Sequence, residues 1–145
     1  MYERILLPTD GSRGNSRAVK QAIGLAAETD AELHVLFVVE DIPYAPEMMD
    51  GEVEARLRQI GEDAIEDIRE RADDAGVEIE TAIEDGTPHR AILEYADDEG
   101  ADLIVMGTHG RSGLDRYLLG SVTERVVRGA EIPVLTVRVS DEPNV

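Results

Sequence analysis

Short apolar runs alternate along the chain with longer segments in which apolar residues recur every third or fourth position. The short runs have the length and the Val, Ile and Leu content of β-strands, and the longer segments have the period of amphipathic helices. The pattern predicts five strands, at residues 4–8, 31–39, 77–83, 101–106 and 133–139. It predicts four helices between them, at residues 12–29, 51–75, 87–100 and 121–129.

The strands differ in how far we expect them to be buried. The run at 31–39 is almost continuously apolar, which is typical of a strand covered on both faces. We expect His34 within it to be a packed or edge residue and not a ligand. Residues 77–83 alternate between apolar and polar, which indicates a half-exposed edge strand. Strict alternation of strands and helices requires a parallel sheet with right-handed crossovers. We therefore predict one α/β domain at residues 1–140, with helices on both faces of the sheet, and a frayed tail at 141–145.

Composition narrows the class of protein. The chain has 145 residues, of which 42% are hydrophobic but only 3% aromatic, so the core must be aliphatic. It contains no cysteine, which excludes disulfides and thiolate metal sites. No apolar run approaches the roughly 20 residues needed to cross a bilayer, and the N-terminus does not resemble a signal peptide. We expect a cytoplasmic protein without a membrane partner.

Charge adds a second constraint. There are 32 acidic residues against 14 basic ones, a net charge of −18. Such a surface repels nucleic acid and anionic membranes, so we expect neither as a partner. The excess has two readings: an ordinary acidic protein, or adaptation to a salt-rich cytoplasm such as that of a halophilic archaeon, where ions screen self-repulsion. Residues 107–128 are an exception, because four arginines and two acids give them a net charge of +2.

A glycine-rich stretch follows the fourth predicted strand. Gly107, Gly110 and Gly113 lie between this strand and the start of a predicted helix. At that start Ser121 is a plausible N-cap, and Glu124 would complete a capping box. Converging backbone N–H groups and a helix N-terminus favour an anion, which we interpret as the phosphates of a nucleotide. The spacing is neither the dinucleotide G-x-G-x-x-G nor a Gly-Lys-Ser/Thr loop. Spacing alone leaves open that the glycines only shape turns.

A second candidate position directly follows the first strand. Asp10 lies at the carboxyl edge, where open α/β sheets bind ligands. It is either a turn residue or an acceptor of a hydrogen bond from ribose or adenine. If strands 1 and 4 are neighbours, as in flavodoxin-like sheets, the Asp10 turn and the Gly107 loop meet across one crevice. The segment 40–51 is either a simple crossover or a flap near the ligand.

Three stretches resemble the universal stress protein family. Gly107-x-x-Gly110, nine further residues and then Gly120-Ser121 match the G-x2-G-x9-G-S/T motif of its ATP-binding branch. Residues 5–12 and 132–137 resemble the first and last strands of the family. The resemblance covers nearly the whole chain. It implies a five-stranded sheet of order 3-2-1-4-5 in a three-layer sandwich of the adenine nucleotide alpha hydrolase-like, or flavodoxin-like, kind.

The resemblance also implies a set of nucleotide contacts. The adenosine side would be lined by Pro8, Thr9 and Asp10, with Val39 and Met106 beside the base. Ribose and phosphates would be wrapped by Gly107, His109, Gly110 and Arg111. The phosphates would be bound through backbone N–H groups and two hydroxyls at Gly120, Ser121, Val122 and Thr123. The expected ligand is ATP, or else ADP or AMP, with Mg or Mn held through the phosphates and not by a protein metal site.

Catalysis and assembly complete the expectations. Neither a Walker B acid nor a catalytic Asp–Asn pair is recognisable, so we assign no catalytic residue. We expect a nucleotide-dependent stress-response regulator with slow or no hydrolysis. The alternative is an ATPase or phosphotransferase using the same site. A receiver domain is disfavoured, because it needs a second acid after the first strand and a lysine after the fifth. Family members commonly dimerise through their last strands, which implies a homodimer through Val134–Val137.

Overall fold

The computed structural model describes residues 2–11, 15–40, 51–108 and 120–138. Strands and helices alternate in this part of the chain, as the hydrophobic pattern predicts. The strands are β1 (Arg4–Thr9), β2 (Glu32–Glu40), β3 (Ile79–Gly86), β4 (Leu103–Gly107) and β5 (Val134–Val137). The helices are α1 (Ser16–Thr29), α2 (Gly51–Asp74), α3 (Pro88–Glu99) and α4 (Ser121–Gly129). No helix among the described residues is long and apolar enough to cross a membrane.

The five strands form one parallel sheet in the order β3-β2-β1-β4-β5. This confirms the predicted single-domain α/β fold and its strand order. The central strand β1 is flanked by β2 and β4, and its residues Ile5, Leu6 and Leu7 are fully buried. The strand order therefore reverses at β1, because the chain runs outward to β3 on one side and to β5 on the other. Open α/β sheets bind ligands at such a switch point.

The two faces of the sheet carry separate cores, because successive side chains on a strand point to opposite faces. On one face, Ile5, Leu7, Val35 and Phe37 pack against α1 and α2. On the other face, the intervening residues Leu6 and Leu36, together with Ile104 and Met106, pack against α3 and α4. The continuous apolar run of β2 is explained by this double cover. His34 is buried within it, as expected for a packed residue.

Local details of the element boundaries follow the turn residues. Gly76 has a φ of +74° just after α2, where glycine was predicted to end the helix, and Gly100 does the same after α3. Thr87 is the N-cap of α3 and Pro88 its first residue, as predicted, although the threonine side chain makes no capping hydrogen bond. Strand β3 lies at a sheet edge, also as predicted, but begins at Ile79 instead of residue 77.

The predicted capping box at the start of α4 is wrong. Gly120 is the N-cap, Ser121 is the first helical residue, and no side chain caps the helix. The Glu124 N–H donates to the Gly120 carbonyl, while the Glu124 carboxylate accepts from Arg128 at 2.9 Å. The side chain that was to close the box is thus engaged one turn further along the helix. Residues 12–14, 41–50, 109–119 and 139–145 lie outside the described residues. The predictions for the start of the first helix, the segment 40–51, most of the glycine-rich stretch and the tail fall on them.

Candidate functional site

A cleft of about 430 Å³ opens at the carboxyl ends of the central strands. Its volume lies in the range of pockets that hold small organic ligands. The ends of β1, β2 and β4 form its floor, and the first turns of α3 and α4 and one residue of α2 form its walls. It is lined by Pro8, Thr9, Asp10, Asn15, Leu36, Phe37, Val38, Val39, Glu40, Leu57, Pro88, Ile92, Met106, Gly107, Gly120, Ser121, Val122 and Thr123.

The turn after β1 is organised by one buried hydroxyl. Thr9 Oγ1 accepts hydrogen bonds from the Gly11 N–H at 3.1 Å and from Asn15 Nδ2 at 3.0 Å. Gly11 has a φ of +81°, a conformation that favours glycine, and it lets the chain turn sharply after Asp10. A β-carbon at Gly11 would also lie 2.9 Å from the Ile60 side chain of α2. These constraints fix the turn on which the Asp10 side chain is carried into the cleft.

The opposite wall joins the end of β4 to the start of α4. The Gly120 N–H donates to the Thr108 carbonyl at 2.7 Å, and Thr123 Oγ1 donates to the Gly107 carbonyl at 2.9 Å. Thr123 is 4% exposed, so this hydroxyl bond is buried. The two bonds hold the N-terminus of α4 against the strand end and aim it at the cleft. A helix N-terminus carries partial positive charge and N–H groups without helical acceptors, so this wall favours an anion.

The remaining wall is apolar. Val39 and Met106 are 4% and 6% exposed. They lie near the carboxyl ends of β2 and β4, the two strands that flank β1. Leu57 of α2 and Ile92 of α3 approach the cleft from the two sides of the sheet. A flat apolar group such as a purine base fits this environment, because binding there removes apolar surface from water.

The charges in the described lining are all negative. Asp10 and Glu40 supply carboxylates, and none of the described lining residues is Arg or Lys. Arg128 of α4 is exposed and pairs with Glu124, as expected for an arginine on an acidic surface. Within the described residues, no three His, Cys, Asp or Glu side chains cluster so as to hold a metal ion. An anion in this part of the cleft would therefore rest on backbone N–H groups and hydroxyls.

The structure brings together two motifs that are about a hundred residues apart in the sequence. Ten of the thirteen residues named from the sequence line the cleft: Pro8, Thr9, Asp10, Val39, Met106, Gly107, Gly120, Ser121, Val122 and Thr123. The other three, His109, Gly110 and Arg111, lie outside the described residues. Their contact with a ligand stays a prediction, and so do the ligand roles of the ten.

The family model for universal stress proteins matches residues 1–138. The chain belongs to the universal stress protein family. It is 41% identical over 141 residues to universal stress protein MJ0531 of Methanocaldococcus jannaschii, which covers 95% of this chain and 83% of that relative.

Solved structures of universal stress proteins share the fold. The structure of MJ0577 matches with a TM-score of 0.86 at 34% identity, covering 98% of this chain and 99% of that one. A universal stress protein crystallised in complex with cAMP matches with a TM-score of 0.71 at 31% identity, covering 96% and 98%. Members of this family therefore include at least one protein that binds an adenine nucleotide.

Eight lining residues of this universal stress protein were not named from its sequence. They are Asn15, Leu36, Phe37, Val38, Glu40, Leu57, Pro88 and Ile92. Three of them, Leu57, Pro88 and Ile92, reach the cleft only because of how α2 and α3 lie on the sheet, and nothing in the local sequence signals that. Asparagine is a preferred residue at a helix start, but that preference does not indicate that the Asn15 side chain donates to Thr9 and lines the cleft.

Proposed function

We propose that this universal stress protein binds ATP in the cleft between the Asp10 turn and α4. ATP binding would make it a nucleotide-dependent stress-response regulator with slow or no hydrolysis. The observation that carries the proposal is the cleft itself, where an apolar wall, a carboxylate and a helix N-terminus face one space. These three surfaces match the three parts of a nucleotide in order: base, sugar and phosphates.

The base would lie against the apolar wall beside Val39 and Met106. The ribose would lie near Asp10, whose carboxylate accepts hydrogen bonds from hydroxyl groups. The family relationship to a protein solved with cAMP supports an adenine nucleotide over other anions. ADP or AMP would use the same base and sugar surfaces with fewer phosphate contacts.

The phosphates would lie at the N-terminus of α4. The N–H groups of Ser121 and Val122 belong to the first turn, where helical acceptors are lacking. Ser121 is exposed, so its hydroxyl is accessible to an oxygen of the ligand, whereas the Thr123 hydroxyl donates to Gly107. We therefore assign Ser121 as the hydroxyl contact and Thr123 as the residue that holds the helix in place. Gly110, His109 and Arg111 remain proposed contacts of ribose and phosphates.

Mg or Mn would accompany the triphosphate. Mg²⁺ keeps several water ligands and is usually bound through substrate phosphates and one or two carboxylates. The proposal therefore assigns the metal to the phosphate oxygens and water, and not to a cluster of protein side chains. When bound, the metal would screen phosphate charge from the acidic surface of the protein.

Slow or absent hydrolysis is proposed because the sequence offers no Walker B acid and no catalytic Asp–Asn pair. Phosphoryl transfer requires cations on the transferring group and a residue that orients the attacking water. Arg111 is the proposed cation at the phosphates, but no residue that would orient the water is recognisable in the sequence. We expect turnover below about 1 s⁻¹, the lower end of typical enzymes. Steady phosphate release at or above that rate by the purified chain would favour the ATPase alternative.

A charge placed on the first residue of α4 tests the phosphate site. In Ser121→Glu, the carboxylate lies at a helix N-terminus, which tolerates or favours negative charge, so the fold should be retained. The same charge repels phosphate, and we expect ATP affinity measured by calorimetric titration to fall at least about tenfold. The matched control is Gln21→Glu, which adds the same charge to an exposed position of α1 outside the cleft lining. Equal affinity in both variants would contradict the phosphate site.

The assembly and the location of the protein are also proposals. We propose a homodimer in which the β5 strands of two chains, Val134–Val137, pair antiparallel. Strand β5 lies at an edge of the sheet, and Leu135 on it is 37% exposed. An uncovered strand edge favours pairing with another strand. The net charge of −18 supports a salt-rich cytoplasm as the setting, without nucleic acid or membrane as partners.

A further inference from the structure

Helix α3 is attached to β2 by a hydrogen bond between two buried side chains, His34 of the strand and Tyr95 of the helix. The Tyr95 hydroxyl lies 2.8 Å from His34 Nδ1, and the two rings meet edge to face with their centroids 5.7 Å apart. The other ring nitrogen, Nε2, lies 3.0 Å from Glu32 Oε1. Both nitrogens of the imidazole are therefore engaged, which fixes the orientation of the ring.

The hydrogen bond to Tyr95 depends on the charge of the imidazole. A carboxylate only accepts, so Nε2–H donates to Glu32, and Nδ1 of the neutral ring accepts from the Tyr95 hydroxyl. Once protonated, Nδ1–H is itself a donor, and the buried hydroxyl must turn its hydrogen towards another acceptor. A buried donor that loses its partner costs free energy. A proton on His34 therefore weakens the attachment of α3 in its present position.

This hydrogen bond is one turn of α3 away from the cleft. Ile92 precedes Tyr95 by three residues and shares its side of the helix. Leu36 follows His34 by two residues and shares its face of the sheet. Both Leu36 and Ile92 line the cleft, as does Pro88 at the start of α3, and both lie in one buried cluster with Tyr95. A shift of α3 at Tyr95 therefore moves a wall of the cleft.

The described charged groups around this hydrogen bond are mostly acidic. On β3, Glu80 lies in register with His34 on the same face of the sheet, whereas the register partner on β1 is the apolar Leu6. Arg4 of β1 lies 3.4 Å from Glu32 Oε1 through its Nε atom. The carboxylates that act on Tyr95 are those of Glu99 on the same helix and of Glu80, Glu84 and Glu32 on the strands.

Within this group, histidine is the residue type that changes charge between about pH 5 and 8. Burial, together with the nearby carboxylates, raises the pKa of Tyr95 to about 12, so its hydroxyl keeps its proton throughout this range. The hydrogen bond from His34 lowers the pKa of Glu32, which keeps that carboxylate ionised. A proton taken up by this hydrogen-bonded chain therefore goes to Nδ1 of His34.

We propose that His34 is a positioning residue for the cleft: its neutral ring holds α3 where the nucleotide needs it, so nucleotide binding and protonation of His34 oppose each other. This inference rests on the proposed nucleotide function and adds pH as a regulator of the same site. Coupling between two binding events is reciprocal, so bound ATP disfavours the proton by the same factor by which the proton weakens ATP binding. Such couplings are typically about fivefold or more.

Nuclear magnetic resonance of the full chain tests the coupling at His34 itself. The imidazole signals are titrated from pH 5 to 8 without nucleotide and with saturating ATP and Mg²⁺. We expect ATP to move the midpoint of the His34 titration to lower pH by about 0.7 pH units, which corresponds to fivefold coupling. Phosphate charge alone would attract the proton and move the midpoint upward. Tyr95→Phe keeps the ring without the hydroxyl and should abolish the downward shift.

Calorimetric titrations with ATP measure the reciprocal effect. Between pH 5.5 and 8 the wild type should gain about fivefold more affinity than His34→Gln, whose amide takes up no proton. The matched control is His89→Gln, which removes a histidine from the first turn of α3 outside the cleft lining and should keep the wild-type dependence. His109 and the titrating phosphate of ATP are present in all three proteins, so their effects cancel.

The outcomes distinguish this inference from the proposed function. A wild type that binds no ATP at any pH overturns both. A wild type that binds ATP with an unmoved or raised His34 midpoint overturns only the positioning role of His34, and so does a Tyr95→Phe variant that keeps the downward shift. Equal pH dependence of ATP affinity in the wild type and His34→Gln has the same meaning. If His34→Gln does not fold, the resonance titrations of the wild type and Tyr95→Phe decide.

Discussion

At the scale of single residues, Thr123 links the end of β4 to the start of α4. Its hydroxyl donates to the Gly107 carbonyl at 2.9 Å in a buried position, although the two residues are sixteen apart in the sequence. The resemblance to the family implies that this hydroxyl binds phosphate. The structure instead engages that hydroxyl within the protein, which makes Thr123 a residue that positions the phosphate-binding turn.

Thr123→Val should lower both stability and ATP affinity. Valine has a similar shape but leaves the Gly107 carbonyl without its donor, which costs about 1–3 kcal/mol of unfolding free energy. Urea denaturation and calorimetric titration measure the two effects, and Thr123→Ser, which keeps the hydroxyl, should restore both. Thr29→Val removes a hydroxyl bond to the Leu25 carbonyl at the far end of α1 and serves as the control. An equal loss of ATP affinity in that control would contradict the positioning role.

His34 anchors a buried polar chain between β2 and α3. Its Nε2 lies 3.0 Å from Glu32 Oε1 and its Nδ1 lies 2.8 Å from the Tyr95 hydroxyl. A carboxylate only accepts, so Nε2–H donates to Glu32, and in the neutral imidazole Nδ1 then accepts from the Tyr95 hydroxyl. The hydrogen bond from His34 lowers the pKa of Glu32. Burial, together with the nearby carboxylates of Glu99, Glu80, Glu84 and Glu32, raises the pKa of Tyr95 to about 12.

The raised pKa of Tyr95 predicts a loss of stability at alkaline pH. An unfolded tyrosine loses its proton near pH 10, so between about pH 10 and 12 the unfolded state binds fewer protons and gains on the folded one. The Tyr95 contribution is fully present below pH 10 and falls across that window. Tyr95→Phe should therefore show a shallower fall of unfolding free energy in urea titrations from pH 9 to 12. Parallel curves for the two proteins would rule out Tyr95 as a source of the fall.

At the scale of elements, α2 lies close to the sheet because Gly61 faces Phe37. A β-carbon at Gly61 would lie 2.4 Å from Phe37 Cδ2, which no ordinary packing allows. Phe37 also lines the cleft, so the same contact sets the position of a helix and the shape of the site. The spacing of apolar residues predicts which face of α2 is buried, but not how closely that face approaches the strand.

Gly61→Ala should destabilise the protein although alanine favours helices. The gain in helix propensity is about 1 kcal/mol, whereas the displaced Phe37 ring and helix cost about 1–3 kcal/mol by overpacking. Gly24→Ala in α1 is the matched control, because a β-carbon there meets nothing within 4 Å. The control should be stabilised by about 0.5–1 kcal/mol in urea denaturation. If Gly61→Ala were stabilised to the same extent, the contact with Phe37 would not oppose a side chain at this position.

The helix starts show where local sequence rules fail. Thr87-Pro88 opens α3 as predicted, because proline at the first helical position needs no hydrogen-bond acceptor. Ser121-x-x-Glu124 has the spacing of a capping box but lies one residue too late. The N-cap is Gly120, whose backbone N–H bonds to Thr108 and thereby ties the helix start to the sheet. The observed boundary coincides with this backbone bond to β4, which the local spacing of residues does not indicate.

At the scale of the whole molecule, the fold was predictable, and so was the meeting of the Asp10 turn and Gly107 at one cleft. Five apolar runs separated by amphipathic segments specify a parallel sheet, and the family resemblance implies the strand order that places Asp10 and Gly107 at one cleft. The side walls of the cleft were not predictable, because Leu57 and Ile92 enter it through the packing of helices on opposite faces. Asn15 was missed for another reason: its role depends on a hydrogen bond to Thr9 that spacing does not reveal.

At the same scale, the proposed homodimer depends on β5, which lies at the end of the sheet order in the described residues. Leu135→Asp places a charge in the proposed strand pairing, and we expect it to convert the dimer to a monomer in sedimentation experiments at micromolar concentration and high salt. Val53→Asp is the control, since Val53 on α2 is 38% exposed and Leu135 is 37% exposed. A wild type that sediments as a monomer, or a control that dissociates equally, would exclude pairing through β5.

Retention of ATP by the purified chain tests most directly whether the cleft holds an adenine nucleotide. Equilibrium dialysis in molar KCl with Mg²⁺ compares total ATP on the two sides at increasing ligand concentration. We expect the protein side to retain up to one ATP per chain at concentrations below millimolar. Equal ATP on both sides at millimolar concentration would contradict nucleotide binding between the Asp10 turn and α4.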